Sequence, residues 1–117
     1  MFKIMGFLAK RPELTTEAFI EHYEKRHVPL ICRLVGSPPV YRRSYLRRDD
    51  PLLPGAAIGF DVVTEQQFAD RASLDAWLAR VAQPEVAAQV RADEERFLDH
   101  QHYFAYVIEE HVTADGR

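Results

Sequence analysis

Cysteine is almost missing from this chain of 117 residues, where Cys32 stands alone. One thiol closes no intrachain disulfide and cannot supply the usual multi-cysteine zinc sites. Glycine-rich phosphate loops are missing too. The sequence contains no P-loop, no GxGxxG and no GxSxG, which removes the common nucleotide-binding and serine-hydrolase readings. No apolar run approaches the roughly 20 residues of a membrane-spanning helix. The opening MFKIMGFLAKRPEL has too short an apolar run for a secretory leader and lacks a small-residue cleavage site. An excess of positive charge is also absent. Fifteen Lys and Arg against 18 Asp and Glu give a formal net charge of -3, which opposes non-specific binding to nucleic acid or anionic membranes. These absences leave a cytoplasmic, soluble protein as the expectation.

What is present is enough for one core. Hydrophobic residues make up 47% of the chain and charged residues 28%, the balance of an ordinary globular domain. A single domain over residues 1–112 is expected, with a flexible tail over 113–117. The stretch Thr15–Leu34 organises it. Steps of three or four from Phe19 lead to Tyr23, His27, Leu30, Ile31 and Leu34, one face of a helix, while Glu17, Glu21, Glu24 and Lys25 fall on the other. The Thr15–Thr16 pair is a candidate N-cap. Pro29 removes a backbone bond, so a kink or early break is expected there. A break would leave His27 at a negative helix end that favours imidazolium.

Strand patterns flank this helix. Phe2–Ala9 is a short apolar run with the look of a strand buried on both faces. Val40–Arg48 alternates, with Tyr41, Arg43, Tyr45 and Arg47 on one side. Its four arginines admit a phosphate or RNA surface, but in an acidic chain a solvated or subunit-edge strand is the better reading. Asp49–Gly59 is turn-rich and is expected to act as a flap over a pocket. Phe60–Ala69 is the third strand, with Phe60, Val62, Thr64, Gln66 and Phe68 together on one face. Asp70–Ala82 reads as a helix, Pro84 opens a second helical stretch with Val86, Val90 and Phe97 apolar and Asp93 and Glu94 solvated, and His102–Glu110 closes as a strand. The order strand, helix, strand, strand, helix, strand is the split βαβ pattern of an α+β, ferredoxin-like fold, a four-stranded antiparallel sheet with its helices on one face. Apolar residues on both sides of the first and last strands leave the second sheet face to be covered by another subunit. An obligate homodimer is expected, sheet face to sheet face.

Three stretches, GFLAKRPELTTEAFIEHYEKRHVPL, FDVVTEQQFAD and ADEERFLDHQHYFAYVIEE, resemble, in that order, the opening, third strand and closing of the EthD family within the dimeric α+β barrel superfamily. The resemblance spans nearly the whole chain. It implies a small-molecule pocket between sheet and helices with the first-helix histidine inside it. It also implies one of several chemistries: isomerisation of lactones, cyclisation, dehydration or decarboxylation of polyketide-like aromatics, or cofactor-free oxidation. Two positions depart from the family. Tyr23 stands where a larger aromatic, often tryptophan, is usual. Gln66 replaces the third-strand cysteine of the methylmuconolactone-isomerase-like relatives, so chemistry through that thiol is not expected.

Each candidate residue has two readings. His27 is either a structural histidine capping a carbonyl near Pro29 or an acid/base group, since its ordinary pKa of about 6.5 suits proton transfer near neutrality. Tyr23 is core or a phenol that orients a carbonyl oxygen. Of Tyr41 and Tyr45, one is expected to point into the cavity. Arg43 between them either attracts a carboxylate or enolate, if buried, or serves at the surface. Thr64 and Gln66 form a polar pair in an apolar stripe, a pattern that marks a pocket more often than a core. Trp77 packs helix on sheet or walls the pocket, and His22 is expected to be exposed. His100, His102 and His111 lack a convergent carboxylate, so no metal site is expected, and the reading needs no cofactor. The resulting expectation is an acid/base enzyme acting on a small, mostly apolar, carbonyl-bearing substrate. His27 moves a proton beside the carbonyl, and Tyr41 or Tyr45 with Gln66 holds the oxygen. A cofactor-free oxygenase is the first alternative. A non-catalytic dimeric binding protein, its pocket filled by Trp77 and Tyr23, is the second.

Overall fold

Period-two alternation builds four strands, β1 (Phe2–Lys10), β2 (Val40–Tyr45), β3 (Val62–Phe68) and β4 (Leu98–Val107), in a computed structural model that describes residues 1–114. They form one sheet in the order β2-β3-β1-β4, with every neighbouring pair antiparallel. The helices are α1 (Thr16–His22), α2 (Val28–Leu34), α3 (Arg71–Val81) and α4 (Pro84–Glu94), and a wider π turn, Tyr23–His27, joins α1 to α2. The connectivity is that of a ferredoxin-like α+β domain, with α3 and α4 together taking the second helix position. Of the tail expected over 113–117, residues 115–117 lie outside the described residues. Among the described residues no helix is long and apolar enough to cross a membrane.

The first helical segment starts as expected and bends differently. Thr15 is extended and its side chain accepts a hydrogen bond from the Ala18 amide at 3.1 Å, an N-cap. Pro29 does not break the helix. The amide of Val28 reaches back to the carbonyl of Tyr23, five residues earlier, and this wider turn makes room for a proline that donates no hydrogen bond and crowds the carbonyl four residues before it. Helix resumes to Leu34. His27 therefore lies inside a continuous helical rod, and the expectation of a negative helix end beside it does not hold.

Two apolar clusters fill the space between helices and sheet. Phe19, Tyr23, Val62, Phe97, Leu8 and Leu98 form one. Ile31, Val35, Phe68, Leu74, Trp77 and Val90 form the other. On the opposite sheet face Asp61 accepts from the Lys10 amide and from Arg48, both at 2.9 Å, and Glu65 pairs with Lys3 and Arg42. Buried charges are tolerated when paired in this way.

Strand ends differ from the sequence pattern. β2 stops at Tyr45 and β3 begins at Val62. β4 starts at Leu98 rather than His102: Leu8 lies opposite Tyr103 but Ala9 lies opposite Asp99, so residues 100–102 bulge out and the ladder resumes before them. Residues 49–59 do not cover the cavity beside His27, none of them being among its lining. The hydrogen bond from the Leu46 amide to the Asp61 carbonyl, 2.9 Å, instead closes that loop on itself at the sheet end.

Phe19 is completely buried and meets Tyr23, Tyr45 and Phe97 edge-on or tilted. Truncating such a side chain leaves a cavity. Phe19→Ala is expected to cost about 3–5 kcal/mol of stability, measured as a lowered midpoint in urea. A loss under about 1 kcal/mol would contradict this packing.

Candidate active site

The two apolar clusters do not close completely on each other. Between them lies a cavity of about 190 Å³, bounded below by Ile4, Gly6 and Leu8 of β1, Tyr41 of β2, Thr64 and Gln66 of β3, and Tyr103 and Ala105 of β4. Tyr23, His27 and Ile31 line it from the first helical segment, Trp77, Leu78 and Val81 from α3, and Val90 and Glu94 from α4. Alternation decides which strand residues take part, since every second side chain faces the helices. Gly6 contributes no side chain at all. A Cβ there would meet Leu8 Cδ1 at 3.4 Å, so the floor is open where other residues would begin to fill it.

His27 is 5% exposed, and its Nδ1 lies 2.9 Å from Asp93 Oδ2. A carboxylate only accepts, so Nδ1 carries the proton and donates it. Nε2 is left with its lone pair. It has no protein partner among the described residues, and no unpaired polar side-chain atom there is sealed from solvent-sized space. Since the ring lines the cavity, that nitrogen opens onto it. Burial pushes the His27 pKa below its ordinary 6.5, against the opposing pull of Asp93 and Glu94. The resting ring is neutral at pH 7, a base rather than the imidazolium expected from a helix end.

Tyrosines supply hydrogen-bond donors, Tyr41 from the sheet opposite and Tyr23 from one turn before His27. Tyr23 Oη and Thr64 Oγ1 share a hydrogen bond of 2.6 Å. Burial raises the Tyr23 phenol above its ordinary pKa, and the Thr64 and Tyr41 hydroxyls only partly offset it. Tyr41 is raised as well, first by burial and then by Tyr23 beside it. Both phenols therefore stay protonated and can donate to a developing oxyanion. Gln66 adds an amide to the same wall.

Six of the eight residues singled out from the sequence line this cavity: Tyr23, His27, Tyr41, Thr64, Gln66 and Trp77. Trp77 is a wall, its indole nitrogen donating to the Gly36 carbonyl at 2.8 Å. Arg43 and Tyr45 are corrections. Both face the helices but are captured by Glu24, which accepts from Arg43 through two bonds of 2.9 and 2.7 Å and from the Tyr45 hydroxyl at 2.5 Å. The Arg43 hydrogen bond holds the Glu24 carboxyl below its usual range. This fork ties β2 to the π turn and leaves no free guanidinium for substrate.

Asp93 and Glu94, expected to be solvated, are corrections too, their side chains being only 15% exposed; Tyr103 was not singled out, but a signal for the first two was there. Val86, Val90 and Phe97 step along one face of α4 and its extension, and residues 93 and 94 fill the gap in that stripe. Polar residues in an apolar stripe mark His27 in the same way. His22 is also corrected. It is half-buried, stacked on Phe97 at 4.7 Å between centroids, and its Nε2 lies 3.0 Å from Asp93 Oδ1. His100 and His102 sit in the β4 bulge against Glu94 and Asp99, and among the described residues no cluster of three or more His, Cys, Asp or Glu side chains is arranged to hold a metal.

Residues 11–101 match the EthD domain. The chain belongs to the EthD family. That span carries His27, Gln66, Trp77 and Asp93 of this EthD domain, and β1 and most of β4 flank it. No curated protein matches the chain. Among solved structures it is similar to an EthD-family protein from Bacillus halodurans, with 22% identity, 95% of this chain and 100% of that one covered, and a TM-score of 0.63. It is also similar to HapK from Hahella chejuensis, at 19% identity over 99% and 100% of the two chains, TM-score 0.58. A dimeric protein of unknown function with a ferredoxin-like fold from Bacteroides fragilis shares 11% identity over 92% and 95%, TM-score 0.53. At these identities the likeness is one of fold.

The depressed His27 pKa has a sign that can be checked. Asp93 opposes the depression, so Asp93→Asn is expected to move the imidazole titration midpoint of His27 further down, followed by NMR. An upward move would contradict the assignment. The unfolded chain takes up this proton near pH 6.5 and the folded one only below it, so this group's stabilisation is intact above pH 6.5. It is lost as pH falls through the folded pKa.

Proposed function

We propose that this EthD domain is a cofactor-independent acid/base catalyst for a small, mostly apolar substrate bearing a carbonyl. One observation carries the reading: a neutral imidazole held by a carboxylate at one nitrogen, with the other nitrogen free at the wall of a cavity. His27 Nε2 takes a proton from the carbon next to the carbonyl, and negative charge moves onto the oxygen. In this reading the Tyr41 and Tyr23 hydroxyls and the Gln66 amide hydrogen-bond that oxygen. The imidazolium returns the proton at another position, or to a departing group, and the site comes back to its starting state. Isomerisation, cyclisation and dehydration share this proton step; in a decarboxylation the departing CO2 would leave its electron pair on that carbon, and the same donors would hold the oxygen. The apolar lining from Ile4, Leu8, Ile31 and Val90 favours a substrate with little charge, and Trp77 and Tyr23 line the cavity rather than fill it, which supports ligand binding over a purely structural module.

The working unit we propose is a homodimer paired through the uncovered sheet face. Phe104 and Tyr106 of β4 are 49% and 62% exposed there, and Phe7 packs against Phe60 and Tyr106 on the same face. A patch of aromatic rings on the face away from the helices is the surface that association would remove from water.

His27→Ala is expected to lower turnover about a hundredfold or more while leaving the fold intact by circular dichroism. Undiminished turnover would remove His27 from the mechanism. Gly6→Leu is expected to fill the floor and abolish ligand binding, measured by calorimetry with the substrate analogue that binds the parent chain. A lysine at position 104, Phe104→Lys, is expected to yield monomers by light scattering, and a persisting dimer would place the interface elsewhere.

A further inference from the structure

Behind His27, on the outer side of the first helical segment, a groove runs between that segment and α4. Its walls carry His22, Lys25, Arg26, Arg33 and Arg96, with Pro29 and Leu30 as apolar floor and Asp93 at its base. The charges here are unusual for this chain. Most of its lysines and arginines reach a carboxylate, including Lys3, Arg11, Arg42, Arg43, Arg48, Arg71 and Arg91. Among the described residues Lys10, Arg26, Arg33, Arg80 and Arg96 do not, and three of these five line this groove. Lys25 is shared only loosely with Glu21 at 3.7 Å. Asp93, the single acidic group in the lining, already accepts from both His22 and His27. Four cationic side chains against the one carboxylate of Asp93 leave a net positive hollow in a chain of net charge -3.

We propose that this groove is a second binding site, for a small multivalent oxyanion, separate from the cavity. Guanidinium forks from two elements, Arg26 and Arg33 on one side and Arg96 on the other, suit the geometry of phosphoryl or carboxylate oxygens. Pro29 and Leu30 would take an apolar portion of the same ligand. The site communicates with the cavity through one carboxylate. His22 forms a groove wall and donates to Asp93 Oδ1, while His27 donates to Oδ2. An anion seated against His22 pulls on its bond to Asp93 and so resets the partner that holds His27. The groove lies on the helix layer, so pairing through the sheet face would leave it accessible. The inference holds whether or not His27 is catalytic, because it concerns binding and the state of His22.

The test is a titration of the full chain with inorganic pyrophosphate and, separately, citrate, at constant ionic strength, following the imidazole and guanidinium NMR signals. Saturable shifts at His22 and at Arg33 or Arg96 are expected, and Arg33→Ala with Arg96→Ala together should weaken the affinity roughly tenfold or more. These arginines are exposed, so the double variant should retain the fold, checked by its unchanged amide spectrum. Saturation by pyrophosphate alone assigns phosphoryl ligands, and by citrate alone polycarboxylates. A linear response matching that of chloride, or equal affinity in the double variant, would overturn the proposal.

Discussion

A proline that cannot donate a hydrogen bond sets the geometry of the site. Pro29 lies within a helical segment that nevertheless runs from Thr16 to Leu34, and the chain accommodates it by widening one turn between Tyr23 and His27. Both ends of that turn are buried toward the sheet, Tyr23 at 3% exposure and His27 at 5%. Within it, Glu24 reaches β2 and captures Arg43 and Tyr45. The widened turn carries the phenol, the imidazole and the strand-binding carboxylate together, a recurrent setting of π turns at functional sites.

From that constraint the electrostatics follow. A buried imidazole needs a partner, and α4 supplies it through Asp93, one turn beyond the core residue Val90. Desolvation keeps the ring neutral, and the carboxylate fixes which nitrogen holds the proton. The phenols of Tyr23 and Tyr41 are pushed the other way by the same burial and remain donors. One low-dielectric hollow thus sorts its groups into a base and its hydrogen-bond donors.

Much of the fold was legible because its signals are periodic. Alternation in Phe60–Phe68 separated Thr64 and Gln66 from Glu65, and the stripe from Phe19 to Leu34 placed His27 indoors. What escaped was non-local. Nothing near Arg43 in sequence announces that Glu24, nineteen residues away, will capture it. The β4 start depends on Ala9 finding Asp99 across a bulge. Asp93 and Glu94 sat in a run of charges whose composition reads as solvated, although their place in the stripe of Val86, Val90 and Phe97 assigns them to the buried face. Composition and periodicity disagreed there, and periodicity was the better guide.

The account rests on the protonation pattern of a single ring, and ¹⁵N NMR of His27 at neutral pH reads it directly. One protonated nitrogen, Nδ1, hydrogen-bonded to Asp93, beside an unprotonated Nε2, is the predicted spectrum. A ring protonated at both nitrogens, or one with its proton on Nε2, would contradict it.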